Sequence, residues 1–187
     1  MKSYSTRNDV LSKPTTLTLV ADALRVEVEG SATRTIPLST VEELRLSFAP
    51  TGAEHARFRA SLRAAREREI VFFNRRYRGL YDFEDTSAEY VAFLRELHLE
   101  LAARAPACRF VAGCGGLRYL VNVLALAIAA LAVLGAVVYF LIVGLVWLVL
   151  LKLVLIAFAL PTALRWLARN KPRGYAPRAI PSDVLPG

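Results

Sequence analysis

Apolar and polar positions alternate with a period of two over residues 15–29. Leu17, Leu19 and Ala21 interleave with Thr16, Thr18 and Val20, and Leu24, Val26 and Val28 interleave with Arg25, Glu27 and Glu29. Successive side chains of a strand point to opposite faces, so this alternation predicts two half-buried strands. Gly30-Ser31 supplies a turn, and residues 32–36 predict a third short strand. Pro37-Leu38-Ser39-Thr40 then leads into a fourth over residues 41–48, where Val41, Leu44 and Leu46 are apolar, and residues 50–52 close it. Residues 1–14 lack any such pattern and are expected to form a flexible leader.

Residues 54–69 fit two periods. Phe58, Leu62 and Ala65 suit one face of a helix, whereas Phe58, Ala60, Leu62 and Ala64 opposite Arg57, Arg59, Ser61 and Arg63 suit a strand. The strand is preferred, because Ile70-Val71-Phe72-Phe73 is a β-rich run that needs a partner, with residues 66–69 as the turn between them. Residues 75–83, with Gly79 and three aromatics, read as a loop or short edge strand. Thr86 followed three residues later by Glu89 is a capping box, and Asp85 adds favourable charge at the same helix start. From there Tyr90, Leu94, Leu97 and Leu101 form one apolar stripe at helical spacing, and Arg104 precedes Pro106 at the end.

Over residues 117–160 the periodicity gives way to a nearly continuous apolar run whose only charges are Arg118 and Lys152. As a helix it would be roughly 66 Å long, about twice the ~30 Å hydrocarbon layer, so it predicts two transmembrane spans joined by a tight apolar turn at residues 141–144. The spans are placed at residues 120–140 and 145–164, within a hairpin covering residues 119–168. Arg118, Tyr119, Trp147, Trp166, Arg165 and Arg169 are the expected membrane-interface anchors. Ala125, Ala129, Ala132 and Ala136 share one face of the first span and are a candidate helix-packing face, serving either the hairpin itself or a further membrane partner.

Charge sharpens this division. The formal net charge of the chain is +8, but residues 1–104 hold 16 basic residues against 15 acidic ones, while residues 105–187 hold 8 against Asp183 alone. The excess therefore flanks the apolar run, on both sides, which places both flanks and both termini in the cytoplasm and makes the chain a multi-pass inner-membrane protein. A nucleic-acid binder would concentrate its excess on the folded domain, so no nucleic-acid partner is expected. Residues 1–20 show no apolar core of secretory-signal type, so the first domain is expected to stay in the cytosol.

Lys152 is the unusual residue of the run, since a lysine at the centre of a membrane helix costs about 2.5–3.5 kcal/mol on insertion scales. It either snorkels towards the nearer interface or meets a partner carboxylate, a lipid phosphate or a functional polar site. No Asp or Glu occurs over residues 106–182, so a carboxylate would come from the soluble domain or another chain. Asn122 is a second candidate for an intramembrane polar contact. In the soluble part Arg57, Arg59, Arg63, Arg66, Arg68, Arg75, Arg76 and Arg78 form the densest basic stretch; Arg57, Arg59 and Arg63 are its candidate docking patch, against either a solvated-face reading or contact with anionic lipid or an acidic protein. Residues 169–187 are Pro-rich and basic and are expected to be extended, either trailing or docked on the soluble domain.

Catalytic chemistry finds little support. His55 and His98 have no Cys or second His at ligand spacing, Cys108 and Cys114 match no zinc or redox spacing, and Asp82, Glu84 and Asp85 are accounted for by helix-start electrostatics. No Gly-rich phosphate loop or Gly-x-Ser-x-Gly elbow occurs. Neither catalysis nor a cofactor or metal is therefore expected.

The order of antiparallel strands closed by one helix, with the phrase Thr35-Ile36-Pro37-Leu38-Ser39-Thr40-Val41-Glu42-Glu43-Leu44 after the second hairpin, resembles the bacterial pleckstrin-homology-like (PH-like) domains of small membrane proteins. The resemblance covers about residues 15–104, with residues 105–118 as a juxtamembrane link. It implies an α+β fold, a small antiparallel sheet or barrel capped by a C-terminal helix, followed by the transmembrane hairpin. It also implies a non-catalytic binding or scaffold module. The alternative is a small accessory subunit of a larger membrane complex. The expected partners are the lipid bilayer and, through the hairpin, a protein partner or a second copy.

Overall fold

A computed structural model describes residues 2–51, 54–79 and 82–186. Gly52 of the expected turn and Tyr81 of the aromatic segment lie outside the described residues. The chain divides into two compact units, one formed by Met1–Gly113 with Arg173–Gly187 and the other by Cys114–Pro172.

The first unit is mixed α+β. Strands β1 (Ser3–Thr6), β2 (Thr15–Val20), β3 (Ala23–Val28) and β4 (Arg34–Pro37) form a four-stranded antiparallel sheet in that order. The alternation acts as expected: Leu17, Leu19, Leu24, Val26 and Ile36 turn inward and are buried. Gly30 turns the chain after β3 at a φ of +68°, a left-handed conformation that a residue with a Cβ adopts only with strain. The expected leader is a correction. Its residues Ser3–Thr6 form β1, with Tyr4 opposite Leu17 and wholly buried against Phe72, Tyr90 and Phe93 at ring distances of 5.8–5.9 Å. One aromatic supplies the burial that orders this otherwise polar segment.

Strands β5 (Val41–Phe48), β6 (Phe58–Ala64) and β7 (Ile70–Phe73) pair antiparallel, so residues 54–69 follow the strand period. Leu62 lies between Leu44 and Ile70, and all three are buried. Arg66 takes a φ of +62° in the turn. The segment read as loop or edge strand is a separate hairpin of β8 (Arg75–Gly79) and β9 (Asp82–Asp85).

Helix α1 (Ser87–Arg104) buries the expected stripe of Tyr90, Leu94, Leu97 and Leu101, and Phe93 and His98 join it. The capping box does not form. The Thr86 hydroxyl is instead hydrogen-bonded to Tyr4 at 2.8 Å, and Asp85 Oδ1 accepts the Ser87 N–H at 2.9 Å. Burial opposes ionisation of Asp85, but the Ser87 hydrogen bonds and the nearby Arg75 outweigh it and hold the carboxyl below its ordinary range.

The expected juxtamembrane link is also a correction, because Arg109–Ala112 forms β10, parallel to β5, and β11 (Arg173–Gly174) pairs with β10. The second sheet thus runs β11-β10-β5-β6-β7. Phe110 and Ala112 are buried, and these inward apolar residues tie the segment to the domain. The tail docks on the same unit: Val184 is fully buried, and Arg173 pairs with Asp183 at 2.5 Å. Among the described residues the sheets do not join edge to edge, so no closed barrel forms.

The second unit is a helical hairpin of α2 (Gly116–Ile142) and α3 (Val146–Asn170). Both helices are long and apolar enough to cross a membrane. Gly144 makes the turn at a φ of +78°, one residue before the Leu145 N–H bonds to Phe140 O at 2.9 Å. At the open end the Cys114 N–H bonds to Asn170 O at 3.1 Å. The seam of α2 carries Asn122, Leu126, Val133, Ala136, Val137 and Phe140, and that of α3 carries Val149, Lys152, Ile156, Ala163 and Trp166, all buried or half-buried at helical spacing.

Candidate functional site

The outer face of the five-stranded sheet gathers charged side chains from three adjacent strands. Inward positions of β5 and β6 are apolar, so the period of two sends Glu43, Arg45, Ser47, Arg59, Ser61 and Arg63 outward. Register places Arg109, Glu43 and Arg63 in one row across three strands, and Ser47, Arg59 and Phe73 in another. Glu43 is nearly buried and accepts from Arg45 at 2.8 and 3.0 Å and from Arg109 at 3.4 Å. That leaves Arg63, its direct cross-strand neighbour, without a carboxylate.

The three candidate docking arginines consequently differ. Arg57 is half-buried, with its guanidinium 3.7 Å from the Phe73 ring centroid and 3.5 Å from Glu54. Burial pushes the Glu54 carboxyl up against the opposing pull of Arg57 and Arg75. Arg59 reaches Glu69 at 3.5 Å. Arg63 is exposed and, among the described residues, has no hydrogen bond or ion pair. The remaining basic residues of the stretch divide as well. Arg75, Arg76 and Arg78 pair with Asp85, Glu84 and Glu89 around β8 and β9, whereas Arg66 and Arg68 are exposed and have no such partner among the described residues. Arg45 and Arg109 complete the face. The alternation in residues 41–48 puts Arg45 there; Arg109 follows only once β10 is known.

In the hairpin Lys152 lies in the seam, 5.5 Å from the Phe140 ring centroid. Helical side chains lean towards the N-terminus of their helix, which for α3 is the turn, so the lysine extends towards the nearer end of the hairpin. Asn122 donates to Arg118 O of its own helix at 2.7 Å rather than to another helix. With Leu126, Ala163, Trp166 and Leu167 it lines a cavity of about 220 Å³. Tyr119 and Trp166 are half-buried, while Arg118, Trp147, Arg165 and Arg169 are exposed. Of the expected packing face only Ala136 reaches the seam: Ala125, Ala129 and Ala132 are exposed, and a Cβ on neighbouring Gly135 would meet nothing within 4 Å. These small residues face away from α3, so they do not pack the hairpin.

His98 is a buried structural residue. Leu94 O can only accept, so Nδ1 carries the proton and donates to it at 2.7 Å, leaving Nε2 to accept the Tyr175 hydroxyl at 2.7 Å. Burial pushes its pKa from 6.5 to about 4, against the raising effect of the Leu94 hydrogen bond, and pushes the Tyr175 hydroxyl up. Both ring nitrogens are thus engaged within the fold. Among the described residues no group of three His, Cys, Asp or Glu is placed to hold a metal ion.

No family model, curated protein or solved structure matches this chain. The functional reading therefore rests on the residues themselves.

Proposed function

We propose that the chain is a non-catalytic binding or scaffold module anchored in a bacterial inner membrane. The observation that carries this is the division of the chain into an α+β unit with a closed core and a hairpin whose apolar side chains have no protein cover. Leu131, Leu134, Ile128 and Phe158 are all more than half exposed, and lipid is the solvent in which such a surface is stable. The hairpin crosses twice, and the basic residues before and after it hold both flanks in the cytoplasm. The run of antiparallel strands before α1 supports a PH-like reading, in which the β8–β9 hairpin, β10, β11 and the docked tail are additions. In this reading Lys152 snorkels, and the outer sheet face presents arginines to a partner.

The alternative, a small accessory subunit of a larger integral membrane complex, is favoured by the outward small-residue face of Ala125, Ala129, Ala132 and Gly135, which allows close approach of another helix. Purification from native membranes in mild detergent separates the two. A small species carrying at most a cytosolic partner is expected, whereas stoichiometric large membrane subunits would establish the alternative.

A further inference from the structure

We propose that the β6–β7 corner of the five-stranded sheet is a docking site for an acidic protein segment, one rich in Asp and Glu. The inference rests on the binding-module reading and names the chemistry of its partner. Arg63 ends the outward row of β6, and Arg66 and Arg68 follow in the turn; all three are exposed and have no carboxylate among the described residues. Of the acids at this corner, Glu43 is engaged by Arg45 and Arg109, Glu67 by Arg34 at 3.5 Å and Glu69 by Arg59, which leaves Glu42, exposed in the bulge between Val41 and Glu43, as one carboxylate against three unpaired arginines. A second observation points the same way. Arg45 Nη1 and Arg59 Nε, on the same face, are buried N–H groups with no acceptor in the fold. Half-buried Val111 on β10 and Val71 and Phe73 on β7 flank these arginines, the mixture of Arg and apolar surface that protein interfaces favour. Guanidinium groups bind carboxylates in a planar, two-point fashion, so the complement is a run of side-chain carboxylates.

The apolar side chains of Val71, Phe73 and Val111 on the same face favour a protein over lipid head groups, because they offer a partner chain surface to bury beside the charge contacts.

The full chain in phosphatidylcholine nanodiscs, titrated with a fluorescein-labelled oligoglutamate, tests this. Binding should weaken with salt, and Arg63→Glu with Arg66→Glu and Arg68→Glu should reduce affinity by about tenfold or more, three surface charge contacts being involved. The corresponding triple glutamine variant should show a smaller loss and guards against misfolding of the charge-reversed one. Arg25→Glu, an unpaired exposed arginine of β3, should bind as the native chain does. Absence of binding, an equal loss in Arg25→Glu, or tighter binding of an oligonucleotide or of phosphatidylglycerol vesicles would overturn the inference. A partner from native membranes that the triple variant retains would sink it while leaving the binding-module reading intact. A chain bound only to large membrane subunits, yet still binding oligoglutamate at this corner, would do the reverse.

Discussion

The two units place leucines in opposite settings. In the first, Leu17, Leu24, Leu44, Leu46 and Leu62 are all fully buried; in the second, Leu120, Leu124, Leu131 and Leu134 are each about 60% exposed or more. The first is ordered by removing apolar surface from water, at about 25 cal/mol per Å². The second hides little from its partner helix and depends on the solvent being lipid. Identical side chains therefore carry different information: inside the sheets they report packing, and along the hairpin they report the medium.

Substitutions should separate the two regimes. Phe93→Ala, in the cluster with Tyr4 and Phe72, is expected to destabilise the first unit by about 3–5 kcal/mol, read from denaturant midpoints, because the cavity cannot collapse. Leu131→Ala should leave that transition unchanged. Charge inverts the order. Leu131→Arg, near mid-span, should cost about 2.5–3.5 kcal/mol in a membrane-integration assay, whereas Leu11→Arg, 94% exposed in the first unit, should be close to neutral. If both arginines were tolerated equally, lipid would not be the solvent of the hairpin.

Acid should act on the first unit alone. The folded chain holds His98 at a pKa of about 4 against 6.5 unfolded, so between these values the unfolded state binds the proton that the folded state excludes. The His98 contribution is full above pH 6.5 and is lost by roughly 3 kcal/mol as the pH is lowered to 4, and His98→Gln should remove this part of the pH dependence even though it lowers stability overall. Near-UV circular dichroism during denaturation at each pH measures it. The smallest effect is expected from Lys152→Leu, which should improve membrane integration by about 1 kcal/mol or less, since a snorkelling ammonium has already avoided most of its cost.

What the sequence disclosed follows the strength of each pattern. Strands β2, β3, β5 and β6 and the stripe of α1 repeat an apolar residue often enough to show their period, and the hairpin shows by length alone. Strand β1 escaped because Tyr4 is one aromatic among polar residues. Strand β10 escaped because four residues pairing parallel with β5 have no local signal of their own. The Thr86 hydroxyl was available to Tyr4 only through tertiary contact, which displaced the capping box. In α2 the alanines stood out by their spacing, but the larger Leu126, Val133 and Val137 give α3 more surface to contact, and the alanines face outward. The docking patch was partly legible: Arg63, Arg66 and Arg68 lie in the basic stretch, but which arginines lack a carboxylate depends on register.

Topology mapping of the full chain in a bacterial inner membrane tests the central claim most directly. A reporter enzyme active only outside the cytosol should be active when fused after Gly144 and silent when fused at Gly187. Activity at Gly187, or silence at Gly144, would contradict a hairpin that crosses twice and holds its binding unit in the cytoplasm.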